Sequence, residues 1–233
     1  MFNSMSQLWS TPIAEYSYNN FNADKPLIIE SVRANEAMQT KNVESEIATL
    51  IKSNLKESKF QFLEKNRDEF SVLRRLQNFF FECISDYIHR NRPAGGGISM
   101  DIHESWYHIT NNNGYHGVHS HGQCSLAGIF YVQSQECGFI DYGDNVQGMN
   151  GINVFHHPNP ATSVFGDYVS SEIYGHPTHF RANPREGNLI LFPSHILHEA
   201  TPYNGNEDRI VISFNSKVHS SPRPTSIVQN VTI

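Results

Sequence analysis

The residues best equipped for chemistry in this chain are its histidines. There are 13 in 233 residues, and seven of them fall between His103 and His157. Imidazole is the commonest metal ligand among side chains, so this density points toward a metal. In the run Gly114-Tyr115-His116-Gly117-Val118-His119-Ser120-His121-Gly122-Gln123, His119 and His121 project to one face of an extended backbone, because strand side chains repeat every two residues. Two imidazoles on one face are a pair of ready ligands; the plainer reading is two half-exposed histidines at a strand end. His116, at an odd offset from His119, is expected on the opposite face of a regular strand.

A second run, Gly187-Asn188-Leu189-Ile190-Leu191-Phe192-Pro193-Ser194, reads as a buried strand that leads to His195 and His198, then through a turn to Asp208-Arg209-Ile210-Val211-Ile212-Ser213-Phe214-Asn215. On that last strand Arg209, Val211, Ser213 and Asn215 share a face. A guanidinium pointing into an apolar interior needs an anionic partner. A carboxylate gripped by arginine and a hydroxyl satisfies both, and arginine's fork suits carboxylate geometry. The plainer reading leaves Arg209 facing solvent or paired with Asp208 or Glu207.

These groups must be held by the rest of the chain. The first forty residues read as an extended polar lead-in. Val43, Ile47, Leu50, Ile51 and Leu55 then recur at helical spacing, with Asn42 as N-cap. A stronger helix is predicted over 68–89, with the stripe Val72, Leu73, Leu76, Phe79, Phe80, Cys83, Ile84, Tyr87 and Ile88; Gly95-Gly96-Gly97 punctuates its end. Strands follow: 98–110, with Ile98, Met100, Ile102 and Trp106 on one side, then 125–133, 188–192 and 209–215. Asn111-Asn112-Asn113-Gly114 reads as a turn. The stretch between Asp141 and Arg185, rich in Gly, Pro, Asn and His, reads as a long loop that could cover a pocket. Helices first and strands after predict an α+β chain, mainly β, closed into a sandwich or barrel.

Composition narrows the function classes. A length of 233 residues suits one domain (1–233), made of an N-terminal segment with supporting helices (1–97), a metal-binding core (98–216) and a C-terminal tail (217–233). The net charge of −6 argues against nucleic acid and anionic membrane as partners. The N-terminus lacks the cationic start and apolar run of a signal peptide. Three cysteines (Cys83, Cys124 and Cys137) without CxxC spacing suit a reduced, cytoplasmic setting. Trp106 and Tyr107 read as core before they read as a substrate platform, and His156, His157, His176 and His179 as exposed loop histidines.

Taken together, Trp106, Gly114, His119-Ser120-His121, Leu126-Ala127-Gly128-Ile129-Phe130-Tyr131, Leu191-Phe192-Pro193-Ser194, His198 and Arg209 to Asn215 resemble the 2-oxoglutarate/Fe(II)-dependent dioxygenase superfamily. More narrowly they resemble a prokaryotic and phage branch with an H-x-H motif, whose start Leu8-Trp9-Ser10-Thr11-Pro12 is also similar. The resemblance implies a double-stranded β-helix (jelly roll) with supporting N-terminal helices. It implies Fe(II) held by His119, His121 and His198, with 2-oxoglutarate and O2 as co-substrates. Arg209 would pair with the far carboxylate of 2-oxoglutarate, and Ser213, Tyr131 and Asn215 would line the same subsite. The implied reaction is hydroxylation of a small-molecule, amino-acid or peptide substrate with release of succinate and CO2, by a chain that could act as a homodimer. His121 departs from the superfamily, which usually has Asp or Glu there; the Gln123 amide is the alternative ligand. Two other readings share the motif: a three-histidine cupin dioxygenase that does not use 2-oxoglutarate, and a non-catalytic binding member of the fold.

Overall fold

A computed structural model describes residues 11–38, 52–91, 98–143, 147–158 and 179–220. The Leu8–Ser10 opening, the Asn42 cap with the stripe up to Ile51, the Gly95–Gly97 turn, His176 and the tail beyond Ser220 lie outside the described residues. The described chain runs β1 (Ala14–Ser17), α1 (Phe21–Met38), β2 (Lys52–Glu57), α2 (Phe62–Asn66), α3 (Ser71–Asn91), β3 (Ile98–His119), β4 (Leu126–Gln133), β5 (Gly138–Asp141), β6 (Gln147–Asn150), β7 (Asn153–His156), β8 (His179–Arg181), β9 (Asn188–Pro193), β10 (His198–Tyr203) and β11 (Arg209–Ser220).

Nine strands form one antiparallel sheet in the order β1-β9-β4-β11-β3-β10-β7-β8, with β2 also on β3; β5 and β6 make a separate hairpin. β3 organises the fold. Its first part, up to Thr110, pairs with β11, and its last part, from Gly114 to His119, pairs with β10. One strand thus belongs to both halves of a curled sheet, and the result is a double-stranded β-helix. The two polar-to-apolar phases of the strands divide the core. Phe130, Val132, Leu189, Leu191, Ile210, Ile212 and Phe214 pack outward against the helices, joining Leu73, Leu76, Phe80 and Ile84 of α3. Ile129, Tyr131, Ile190, Phe192 and Val211 point the other way, into the barrel with Phe155 and Ile196. Strands buried on both faces read as continuous apolar runs, as Leu189–Phe192 does. Gly128 is required by this packing: a Cβ there would collide with the Phe214 ring, which stacks on Phe80 at 4.7 Å.

Four expectations need correction. The N-terminal lead-in contains an 18-residue helix, α1. Its buried positions, Phe21, Asp24, Ile28, Ser31 and Val32, have helical spacing, but two of the five are polar and mask the stripe. Both are satisfied inside. Asp24 accepts from Tyr18 Oη (2.6 Å) and Arg75 Nη2 (2.6 Å), and Ser31 Oγ donates to the Ile28 carbonyl. Leu55, placed in a helix by its spacing, lies instead in β2, paired with Thr110. Asn111–Gly114 does not reverse the chain: Asn112 and Asn113 take positive φ (52° and 60°) inside β3 and kink it between its two partners. Finally, the segment between Asp141 and Arg185 is not one loop, because it supplies β6, β7 and β8.

A further correction concerns phase. Ile102 packs on the helix side and Trp106 lines the interior pocket, although an even spacing puts them together. Asn215 pairs with Glu104 and Ser216 with Ile102, so His103 is an extra residue that flips the strand. Among the described residues no helix is long and apolar enough to cross a membrane. The three cysteines are free thiols.

Candidate functional site

His119 ends β3, His198 opens β10, and the two are register partners. His121 follows two residues after His119, and its backbone N–H donates to the Ser194 carbonyl (2.9 Å) just after β9. One potential ligand nitrogen from each of the three histidines lies within 4.8 Å of the others. The rings crowd together, with centroids at 4.3 Å for His119–His198 and 5.1 Å for His121–His198.

The hydrogen bonds orient these rings as ligands. His119 Nδ1 sits 2.8 Å from the Gly117 carbonyl and His198 Nδ1 3.0 Å from that of Ile196. A carbonyl only accepts, so each Nδ1 carries the proton and each Nε2 the lone pair, the arrangement that metal-bound histidines use. His121 Nε2 lies 3.3 Å from His198 Nε2. A divalent metal at about 2.1 Å from each nitrogen sets neighbouring ligands roughly 3.0–3.4 Å apart, so the spacing fits. Burial, and then the neighbouring His119, push His121 down to about 4 and His198 down to about 2. Both are neutral at physiological pH, the form that binds metal.

Arg209 is 2% exposed. Its Nε donates to the Gly151 carbonyl (3.0 Å) and its Nη2 to Asn153 Oδ1 (2.7 Å). The guanidinium also lies 5.8 Å from the Tyr131 ring centroid, and Tyr131 Oη donates to the same Asn153 oxygen (2.9 Å). Neither Asp208 nor Glu207 pairs with it. Asp208 turns outward to Arg33 at 2.8 Å, and among the described residues no carboxylate forms an ion pair with Arg209. The barrel therefore holds a positive charge that is positioned by neutral groups.

The histidines and Arg209 share one pocket, with Trp106, Asn153, Val211 and Ser213 in its walls. Tyr131 is fully buried behind it. Asn215 is buried too, but its amide donates to Glu104 (2.6 Å) and it does not line the pocket. Gln123 is exposed with φ of 57° and does not line the pocket.

Some members of the site were not legible beforehand. His116 stacks on His119 at 3.9 Å instead of facing away. The reason is a register shift: His119 pairs with His198 but His116 with Ala200, which places an extra residue on β3 and turns His116 inward. His108 follows at 5.3 Å from His116, and its Nε2 is 2.6 Å from Glu57 Oε2. Asn153 had no signal of its own, since it opens β7 in the stretch read as loop. A strict two-residue count onward from Trp106 would have found His108.

Residues 104–215 match the model of a family described as "Putative 2OG-Fe(II) oxygenase". No curated protein matches the sequence. Among solved structures, the non-heme alpha ketoglutarate dependent epimerase SnoN from nogalamycin biosynthesis aligns over 95% of this chain and 84% of that one, with 11% identity and a TM-score of 0.56. A prolyl hydroxylase from Trichoplax adhaerens, solved with a peptide fragment of a hypoxia inducible factor, aligns over 88% and 83%, with 14% identity and a TM-score of 0.53. A 2OG-Fe(II) oxygenase family protein from Burkholderia pseudomallei aligns over 54% of this chain and 46% of that one, less than half its length, at 14% identity and a TM-score of 0.35. The family match spans the residues that build the site, the three-histidine group among them, and the SnoN and Trichoplax structures share the double-stranded β-helix fold.

Proposed function

We propose that this chain is an Fe(II)- and 2-oxoglutarate-dependent dioxygenase in which His119, His121 and His198 hold the iron and Arg209 binds the far carboxylate of 2-oxoglutarate. The observation that carries the reading is the buried Arg209 guanidinium, without a carboxylate partner among the described residues, in the same pocket as three clustered imidazoles. A small dianion with one end for a metal and one for a guanidinium satisfies both. The three-histidine cupin reading leaves that guanidinium without an anion, and so accounts for less.

Iron and 2-oxoglutarate together supply oxygen activation, coupled to decarboxylation of the co-substrate to succinate and CO2. The protein's own residues prepare the place where this happens. The Gly117 and Ile196 carbonyls fix the tautomers of His119 and His198. The Gly151 carbonyl and Asn153, with the Tyr131 ring beside them, hold the guanidinium in the pocket wall. Phe155, Phe192 and Ile129 keep the inner wall apolar and exclude water from the buried charge.

Hydroxylation is the proposed outcome. A peptide or amino-acid substrate is consistent with the peptide complex of the Trichoplax relative, and a small molecule with the epimerase. Asn215 is proposed to support the subsite through Glu104, not by direct contact. The test is decarboxylation of 2-oxoglutarate by the Fe(II)-loaded protein under oxygen. Succinate formation above the rate of metal alone supports the reading; none, with iron bound and 2-oxoglutarate saturating, overturns it.

A further inference from the structure

Trp106 is only 4% exposed, yet its indole Nε1 has no hydrogen-bond partner among the described residues. An indole nitrogen is a donor only, and a buried donor left unmet opposes folding. The side chain is well fixed: Phe60 meets it edge-on at 5.3 Å, and the His121 ring lies 5.8 Å away. It lines the same pocket as the three histidines and Arg209. Its register partner on β11 is Ser213, which lines that pocket as well.

We infer that the Trp106 indole N–H, with Ser213 opposite it, donates to an oxygen at the 2-oxo acid end of the co-substrate. The inference rests on the function proposed above and adds a binding residue to it. Arg209 pairs across the strands with Thr110, and Ser213 with Trp106. Four residues of strand, about 13 Å, separate the two positions. A diacid anchored at Arg209 directs its other end toward His121 and Trp106. The carboxylate there has more lone pairs than one metal bond uses, and a donor to an ionised oxygen is stronger than a neutral bond. The orphaned indole N–H is thereby satisfied on ligand binding.

The test uses the protein loaded with Zn(II), which is diamagnetic and redox-silent, and labelled with 15N. The chain has two tryptophans, Trp9 and Trp106, so two indole signals are expected, and Trp9→Phe assigns them. Adding 2-oxoglutarate is expected to move the Trp106 indole proton downfield and slow its exchange with solvent. Trp106→Phe keeps the ring and removes the N–H; it is expected to bind Zn(II) as the parent does and 2-oxoglutarate about tenfold to a hundredfold more weakly. If the parent binds 2-oxoglutarate while the Trp106 signal stays still, the inference is wrong and the proposed function stands. If the parent does not bind 2-oxoglutarate at all, the proposed function falls. The wild-type spectrum decides the matter even where the phenylalanine variant is poorly folded.

Discussion

Arg209 and Tyr131 meet at a single oxygen: both donate to Asn153 Oδ1, at 2.7 and 2.9 Å. A neutral amide on β7 thus ties together side chains of β11 and β4, and through them the two halves of the sheet. The oxygen positions the guanidinium without neutralising it, which leaves the charge for an incoming anion.

Arg209→Ala is therefore expected to weaken 2-oxoglutarate binding by about 2–5 kcal/mol, the range for losing one partner of a buried charge pair. Anaerobic calorimetry with metal-loaded protein measures it. Unchanged affinity would remove Arg209 from the site. Asn153→Ala should produce a smaller loss of the same sign, because the guanidinium remains but is less fixed.

Metal binding should depend on His119 and His198 above all. Each is expected to abolish stoichiometric Fe(II) binding when changed to Ala, while His116→Ala, which removes only a stacked neighbour, keeps one metal per chain. Metal analysis after anaerobic purification distinguishes these. Equal iron content in all three variants would place the metal elsewhere.

His121→Asp is expected to hold Fe(II) more tightly than the parent and still bind 2-oxoglutarate. A carboxylate removes one unit of the site's positive charge, where imidazole removes none. His121→Ala should lose affinity. Should both bind iron like the parent, His121 packs beside the metal instead of ligating it.

Asp24 offers a pH-dependent test of the fold away from the site. Arg75, followed by Tyr18, holds its carboxyl below the usual carboxylate range against the opposing effect of burial. A depressed folded-state pKa stabilises the protein fully above the unfolded value of about 3.9, and that contribution is lost as pH falls through the folded value. Asp24→Asn should cost about 1–2 kcal/mol at neutral pH, discounted because the Arg75 side chain is 44% exposed. Urea titrations should show the gap between parent and variant closing as pH drops from 5 toward about 2. A constant gap would mean the loss is steric.

Gly128→Ala should destabilise by about 1–3 kcal/mol through overpacking against Phe214. Pairing it with Phe214→Leu should return part of that loss, measured as a double-mutant cycle in thermal unfolding. Simple additivity would show that the two side chains do not meet.

By itself, the sequence located most of the side chains that gather at the candidate site. The spacing of His119 and His121, the apolar run into His198, and the common face of Arg209, Val211 and Ser213 follow from strand periodicity, a local property that survives without knowledge of partners. The α3 stripe was readable for the same reason. Only the tertiary structure decided what stands beside these residues. His116 and Trp106 were misplaced because β3 carries an extra residue at two places, each of which flips the phase of what lies beyond it, and a bulge is defined by the partner strand. α1 was hidden because its buried face includes Asp24 and Ser31, whose burial depends on bonds to Arg75, Tyr18 and a backbone carbonyl. Asn153 became part of the site only when β7 closed against β10, a contact between segments some forty-five residues apart that leaves no periodic trace in either.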